Sequence, residues 1–367
     1  MPTPANVLVV NAGSSSLKVR LLDHRDEVLD SLDLDQWRGG DDVGELERFV
    51  RETSDVDAVG HRIVHGGRKF REPVRFDPGV RDELEALTEL APLHQPRGVG
   101  GIDALTALLP ETPAVACFDT AFHASIPDAA ATYALPADWN ERWGLRRYGF
   151  HGLSHAYVTR RAAELTRSPA DRLRIVSCHL GAGASLAAVS GGRSVDTTMG
   201  FTPLAGLVMA TRTGSVDPGL VLWLQQHAGI DADRMSHALE FESGLAGLSG
   251  GDGDMRTVLS GVDAGDHRST LAFEVYVHRL RREIAAMTAI LEGLDVLVFT
   301  GGVGEHSARV RAEVAHGLAY LGVRIDDAAN DRDAEDIGAG GAEVRTLVVP
   351  AREDVEIAHH TRSVLGG

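Results

Sequence analysis

The sequence predicts an α/β protein built from two related halves around a nucleotide or phosphate cleft, and three observations carry that prediction. The apolar run 7–10 enters the loop Asn11-Ala-Gly-Ser-Ser-Ser16, and an apolar-alternating strand leaves it over 17–22. The pattern returns when the run 175–178 enters His179-Leu-Gly-Ala-Gly-Ala-Ser185 and a second apolar strand follows. A third apolar run, 296–299, meets Thr300-Gly-Gly-Val-Gly-Glu305 ahead of a helical pattern over 307–318. Small residues between strands let backbone N–H groups approach an anion, and the hydroxyls and the Asn11 amide add donors. Two of the three junctions return as hairpins, which is the mark of duplicated halves.

Size and charge narrow the classes. A chain of 367 residues holds two ordinary domains, and 43% hydrophobic with 24% charged residues is the composition of a globular protein. A net charge of −17 argues against nucleic acid or an anionic membrane as the main partner. Any bound anion must meet locally placed cations, and these are arginines, because Lys18 and Lys69 are the only lysines. Arginine presents the planar fork that matches phosphate and carboxylate oxygens. Cys117 and Cys178 sit in apolar runs and are expected as buried free thiols. No run approaches 18 apolar residues and no leader pattern is seen, so a cytoplasmic protein without a span is expected.

In chain order, strands are expected over 7–10 and 18–23, followed by an acidic surface hairpin over 23–42. Residues 58–67 read as a strand carrying Arg62 between apolar neighbours; a buried arginine is either a structural ion pair or an anion ligand. A short amphipathic helix is expected over 82–90, and another over 98–109 with Pro96 near its start. The buried strand 113–118 ends at Asp119, a position that serves either a site or a cap. His151 lies in an Arg146-Arg-Tyr-Gly-Phe-His-Gly run, and Ser154 is expected to cap a helix over 155–165. Zinc at the His61/His65 or His151/His155 pairs lacks a third ligand of suitable spacing, and calcium at 250–256 lacks EF-hand spacing. Arg212, before a Gly-Ser turn in a Gly- and Thr-rich stretch, suits a binding loop. Val277, Leu280, Ile284, Met287 and Leu291 define a long amphipathic helix. A last strand ends at Glu353 and Asp354, before a final helix through His360.

Five ordered motifs carry a resemblance that runs essentially end to end: Asn11-Ala-Gly-Ser-Ser-Ser-Leu-Lys18, Gly60-His-Arg-Ile-Val-His-Gly-Gly67, Phe118-Asp-Thr-Ala-Phe-His123, Arg147-Tyr-Gly-Phe-His-Gly-Leu-Ser-His155 and Met199-Gly-Phe-Thr-Pro-Leu204. On these the chain resembles the acetate kinase family, within the acetate and sugar kinase, Hsp70 and actin superfamily. The resemblance implies two duplicated actin-like (ribonuclease H-like) α/β domains flanking a nucleotide cleft. It places them at 1–123 and 124–355, with 356–367 as a helix returning to the N-terminal domain. It also implies a homodimer and the reversible reaction of ATP with acetate to give ADP and acetyl phosphate, with Mg²⁺ or Mn²⁺.

Position by position, the resemblance gives Arg62 and Arg212 to the carboxylate and the transferring phosphoryl group, His151 to that group in transit, and Asp119 to the catalytic centre. It gives Val64, Leu93, Phe150 and Pro203 to a pocket for the methyl group, and Asn11 and Glu353 to the metal. For ATP it implies Ser14, Ser16 and Lys18, then His179, Leu180, Gly181, Ala182 and Gly183. Asp254, Met255 and Arg256 join that set, as do Gly301, Gly302, Val303, Gly304 and His306 on the adenosine side. Acetate is already a nucleophile at neutral pH, so Asp119 is expected to align the metal or Arg62 rather than act as a base. No Gly-x-x-x-x-Gly-Lys-Ser/Thr run is present, which excludes a conventional P-loop.

Three departures from the family pattern concern the nucleotide. Ala182 stands where the family usually has Asn, which removes a donor worth about 1 kcal/mol. Ala205 replaces a usual Glu, and His306 a usual Asn. Alternatives are propionate or butyrate as acceptor, pyrophosphate as donor, or an actin- or Hsp70-like ATPase without an acid substrate. A Rossmann dehydrogenase is disfavoured by the hairpin returns.

Overall fold

The computed structural model describes residues 3–13, 16–35, 37, 43–53, 55–92 and 94–366. The chain divides into two compact units. One comprises Met1–Ala124, Phe150–Tyr157 and Arg352–Gly367; the other comprises Ser125–Gly149 and Val158–Ala351.

The first unit holds a six-stranded sheet of β1 (Val7–Ala12), β2 (Ser16–Leu22), β3 (Val28–Asp35), β4 (Ala58–Ile63), β5 (Val74–Arg75) and β6 (Ala114–Phe118), in the order β3-β2-β1-β4-β6-β5. β1, β2 and β3 run antiparallel, while β1, β4 and β6 are parallel neighbours. The continuous apolar run of β1 is buried on both faces, as a central strand requires. One face is covered by the helices Gly44–Glu52 and Gln95–Leu108, which pack Leu46, Phe49 and Leu105 against Leu8, Val10 and Val19. The other is covered by the final helix Glu353–Gly366 through Val355, Ile357 and Leu365. Each fully buried Leu or Ile is worth about 1.5–3 kcal/mol. The acidic stretch expected as a surface hairpin supplies β3, whose Asp30, Asp33 and Asp35 line an open sheet edge.

The second unit repeats that topology. β7 (Arg174–Leu180), β8 (Ala184–Ser190), β9 (Arg193–Thr197), β10 (Val296–Thr300) and β11 (Arg345–Val348) lie in the order β11-β10-β7-β8-β9. Again the first three strands are antiparallel and the last two are parallel to the first. The helix His267–Ile290 lies against this sheet with Val277, Leu280, Ile284 and Met287 buried, which is the face its spacing predicts. The fold is therefore a duplicated actin-like α/β architecture. Among the described residues no helix is long and apolar enough to cross a membrane, and both cysteines are free and buried.

Four local readings change. The last strand ends at Val348, and Glu353 and Asp354 open the final helix instead of closing that strand. The helix expected over 82–90 spans Pro78–Ala86, because Asp77 accepts from the Val80 N–H and Pro78 opens the first turn. Ser154 lies inside the helix Gly152–Thr166 and does not cap it; a Cβ on Gly152 would sit 2.1 Å from the Asp119 carbonyl oxygen, so only glycine lets the helix begin there. The glycine segment after β10 is a helical turn, Gly301–His306, and Ser307 then caps the helix Ala308–Gly317.

Candidate active site

In the first unit, the parallel register of β1 and β4 sets Asn11 beside Arg62, and Asp119 follows the end of β6 next door. Arg62 grips Asp119 with both forks: Nε lies 3.0 Å from Oδ1 and Nη2 lies 2.6 Å from Oδ2. Its Nη1 donates to Asn11 Oδ1 at 2.9 Å and lies 3.9 Å from Glu353 Oε2. Asn11 Nδ2 donates to the same Glu353 oxygen at 3.0 Å. A bidentate guanidinium–carboxylate pair is strong and directional, which suits a group that must hold one orientation. Burial alone lowers the Arg62 pKa, but the charges of Asp119 and Glu353 more than reverse this and hold the guanidinium above its ordinary value. Burial pushes the Asp119 carboxyl up, opposed by Arg62 and by the His151 backbone N–H. The side chain of Asp119 is 1% exposed, while those of Arg62 and Glu353 are 14% and 15% exposed, so the cluster opens through these two groups.

His151 sits at φ +57°, in the left-handed region that non-glycine residues seldom enter. The strain is held by neighbours: the His151 N–H points at the Asp119 carboxylate and the Gly152 N–H donates to the Asp119 carbonyl at 2.9 Å. Strained backbone that its surroundings enforce is characteristic of functional positions. Val64 and Phe150 are buried, with Phe150 edge-on to His65 at 5.6 Å. Leu93 and Ser14 lie outside the described residues. Ser16 opens β2 and Lys18 is exposed on it.

In the second unit, a cavity of about 660 Å³ lies among the segments the sequence marks for a nucleotide. Gly181 and Ala182 from the β7–β8 turn, Asp254, Met255 and Arg256, and Gly302, Val303 and His306 all line it. His179, Leu180, Gly183, Gly301 and Gly304 are not wall residues but support the turns that are. Gly301, at φ +76°, backs onto Leu180, whose backbone a Cβ would approach to 2.8 Å. Asp254 caps the helix Met255–Asp263, and the Arg256 guanidinium, bonded to both oxygens, pulls its carboxyl down to about 2. His306 is 73% exposed at the rim, 4.0 Å from both Glu305 and Asp333.

Arg212 belongs to this unit. The Ala210 N–H of its segment donates to the Ala182 carbonyl, which ties the segment to the cavity turn. Arg212 Nη1 donates to the Pro203 carbonyl at 2.8 Å. Among the described residues no carboxylate forms an ion pair with it; burial lowers its pKa, with only Glu240 opposing. A half-buried guanidinium so placed retains donors for an anion.

The model of the Acetokinase family matches residues 42–359. The chain belongs to the acetokinase family. The acetate kinase of Synechococcus sp. (strain JA-2-3B'a(2-13)) is 44% identical over 403 residues, covering 99% of this chain and 100% of that protein. The crystal structure of Porphyromonas gingivalis acetate kinase superposes with a TM-score of 0.91 at 36% identity, covering 98% of this chain and all of that one. That of a propionate kinase from Francisella tularensis subsp. tularensis SCHU S4 gives 0.92 at 34%, with the same coverage.

Several residues around these segments escape sequence reasoning. Arg311, fully buried, donates to the carbonyls of Gly304 and Glu305 and to Asn330. Glu305, by contrast, closes the glycine segment that the sequence marks, and its Oε1 accepts from the Gly301 and Ala351 N–H groups. Tyr276, Asp252 and Leu245 line the cavity. An arginine inside a helical pattern or a tyrosine beside a core stripe carries no local signal of such a role. For a metal, the Glu353 carboxylate is a suitable hard ligand, since Mg²⁺ takes one or two protein oxygens beside substrate phosphates and water. Asn11 Nδ2 orients that carboxylate, and Asn11 Oδ1, which accepts from Arg62, keeps a second lone pair for a metal.

Proposed function

We propose that this acetokinase catalyses reversible phosphoryl transfer from ATP to acetate, giving ADP and acetyl phosphate by direct in-line displacement. The observation that carries this reading is the locked Arg62–Asp119 pair with Asn11 and Glu353 beside it, which gives a short carboxylate a charged partner fixed in direction. Arg62 holds the acid while Val64 and Phe150 face its methyl group. Arg212 and His151 are assigned to the transferring phosphoryl oxygens, where developing charge needs donors more than a base. Glu353 would hold a divalent metal, which supplies neutralisation of phosphate charge when bound. Asp119 orients Arg62. The 660 Å³ cavity of the second unit is assigned to the nucleoside, with Gly181 and Ala182 toward its phosphates.

A homodimer and a cytoplasmic setting belong to the same proposal. Leu220, Leu222 and Trp223 on the helix Pro218–His227 and Phe241 on the helix Ala232–Phe241 are exposed, an apolar group that a second copy would cover. The test is trapping of the acyl phosphate by hydroxylamine, with ATP or pyrophosphate offered against acetate, propionate and butyrate. Trapping with ATP and acetate, lost on chelation of divalent metal, is the expected result. Trapping only with pyrophosphate, or ATP hydrolysis without any acyl phosphate, overturns it. A methylene in an apolar pocket is worth about 1–3 kcal/mol, so propionate should turn over more slowly and not be refused.

A further inference from the structure

Arg352, the residue before Glu353, is an unexpected side chain for its place. Its carbonyl accepts from the Val355 and Glu356 N–H groups at 3.1 and 3.3 Å, so it stands at the head of the final helix. An arginine has no acceptor with which to cap a helix, and the positive end of the helix disfavours its charge. Its contacts lie elsewhere. Arg352 Nε is 2.9 and 3.1 Å from the two oxygens of Asp354, and Nη2 donates to the Asp26 carbonyl at 3.2 Å. Asp26 belongs to the turn between β2 and β3, which is held by its own hydrogen bonds. Asp23 Oδ1 accepts there from the Arg25 and Glu27 N–H groups at 2.8 and 3.0 Å, and the Asp23 carbonyl accepts from the Asp26 N–H at 3.0 Å. About three turns along the helix, Arg362 reaches the same turn, with Nη1 2.7 Å from Asp26 Oδ1 and Nη2 donating to the Asp23 carbonyl. Two attachments to one self-supported turn restrain both the slide and the rotation of the helix. Arg352 is the attachment beside Glu353, whose Oε2 lies 3.0 Å from Asn11 Nδ2.

We infer that Arg352 is a positioning residue: its strap to the 23–26 turn aims the Glu353 carboxylate, so that a divalent metal meets a ligand already oriented. This role rests on the reading of Glu353 as a metal ligand. The sign of the charge separates it from simple electrostatics. Removing a cation beside a metal site tightens the metal by charge alone, so weaker binding reports lost orientation. Mn²⁺ binding is followed by electron paramagnetic resonance of the free ion, alongside melting temperature and the KM for acetate. The proteins compared are wild type, Arg352→Ala, Arg362→Ala and Glu353→Gln. Arg352→Ala should weaken Mn²⁺ about tenfold, as loss of a group that orients a metal ligand does, with the KM for acetate unchanged. Arg362→Ala should lower the melting temperature and leave Mn²⁺ binding in place. Unchanged or tighter Mn²⁺ binding in folded Arg352→Ala overturns the inference, while a loss in Glu353→Gln keeps the metal reading standing. No Mn²⁺ binding by wild type, or undiminished binding in Glu353→Gln, overturns both. Equal losses in the two arginine variants mean a general loosening of the helix and overturn the role of Arg352. Should Arg352→Ala fail to fold, Arg352→Gln, which keeps the stem without the fork, is read in the same way.

Discussion

Arg62 and Arg212 are the same residue type in the same proposed reaction, yet their surroundings differ in kind. Arg62 is closed on one side by both oxygens of Asp119 and reached on another by Asn11 and Glu353. Arg212 is tied through one hydrogen bond to a backbone carbonyl and has no carboxylate partner among the described residues. Burial disfavours the charge of both; the anions around Arg62 reverse that, and nothing comparable does so at Arg212. The first guanidinium is thus part of the structure as well as of the site. The second has most of its donors still to give, which is the state expected of a group that meets a phosphoryl oxygen.

Replacing either arginine by Ala should lower turnover by about 10³-fold or more, the worth of a phosphoryl-facing arginine. A loss below tenfold in folded protein would remove that residue from the reaction. The two variants should part in stability. Arg62→Ala leaves Asp119 buried without a counter-charge and should cost about 3–5 kcal/mol, seen as a lower denaturation midpoint. Arg212→Ala strands only one carbonyl and should unfold close to wild type. The double variant Arg62→Ala/Asp119→Asn should regain most of the lost stability and none of the turnover. Equal destabilisation by both single variants would erase the distinction between the two sites.

The same contrast marks what the sequence can disclose. Both sheets were legible because an apolar run entering small residues and returning as a strand is a local pattern, and it occurs at 7–22 and again at 175–189. Charged residues at strand ends were legible as candidates. The Arg62–Asp119 pair is expected only through the family resemblance, and there only as one of two roles for Asp119, since 57 residues separate the partners and nothing local distinguishes a paired arginine from a waiting one. The helical turn Gly301–His306 was hidden because glycines disfavour helix. It exists because Arg311 takes two of its carbonyls from beneath and Glu305 takes the Gly301 N–H. The early start of the helix Pro78–Ala86, by contrast, has a local signal in Asp77-Pro78, a capping carboxylate followed by a first-turn proline.

That turn allows a finer comparison between adjacent glycines. Gly301→Ala forces a side chain into the left-handed region and toward the Leu180 backbone, whereas a Cβ on Gly302 meets nothing within 4 Å. Gly301→Ala should cost about 1–3 kcal/mol and raise the KM for ATP, while Gly302→Ala leaves the melting temperature unchanged. Equal effects would mean that the turn is not held by its contact with β7.

The smallest effect concerns Ala182, where a methyl stands in place of the amide usual in the resembled family. Its backbone is already fixed, because its carbonyl accepts from the Ala210 N–H, and its side chain belongs to the cavity wall. Ala182→Asn therefore adds one hydrogen-bonding group to a preformed surface and should tighten ATP several-fold, for about 1 kcal/mol. The KM for acetate should not move, since the acid cluster is built from residues of the other unit. Titration of both substrates on the variant separates the cases. A tighter ATP with an unchanged acid assigns the β7–β8 turn to the nucleotide phosphates, and an unchanged ATP affinity withdraws that assignment while leaving the Arg62 cluster untouched.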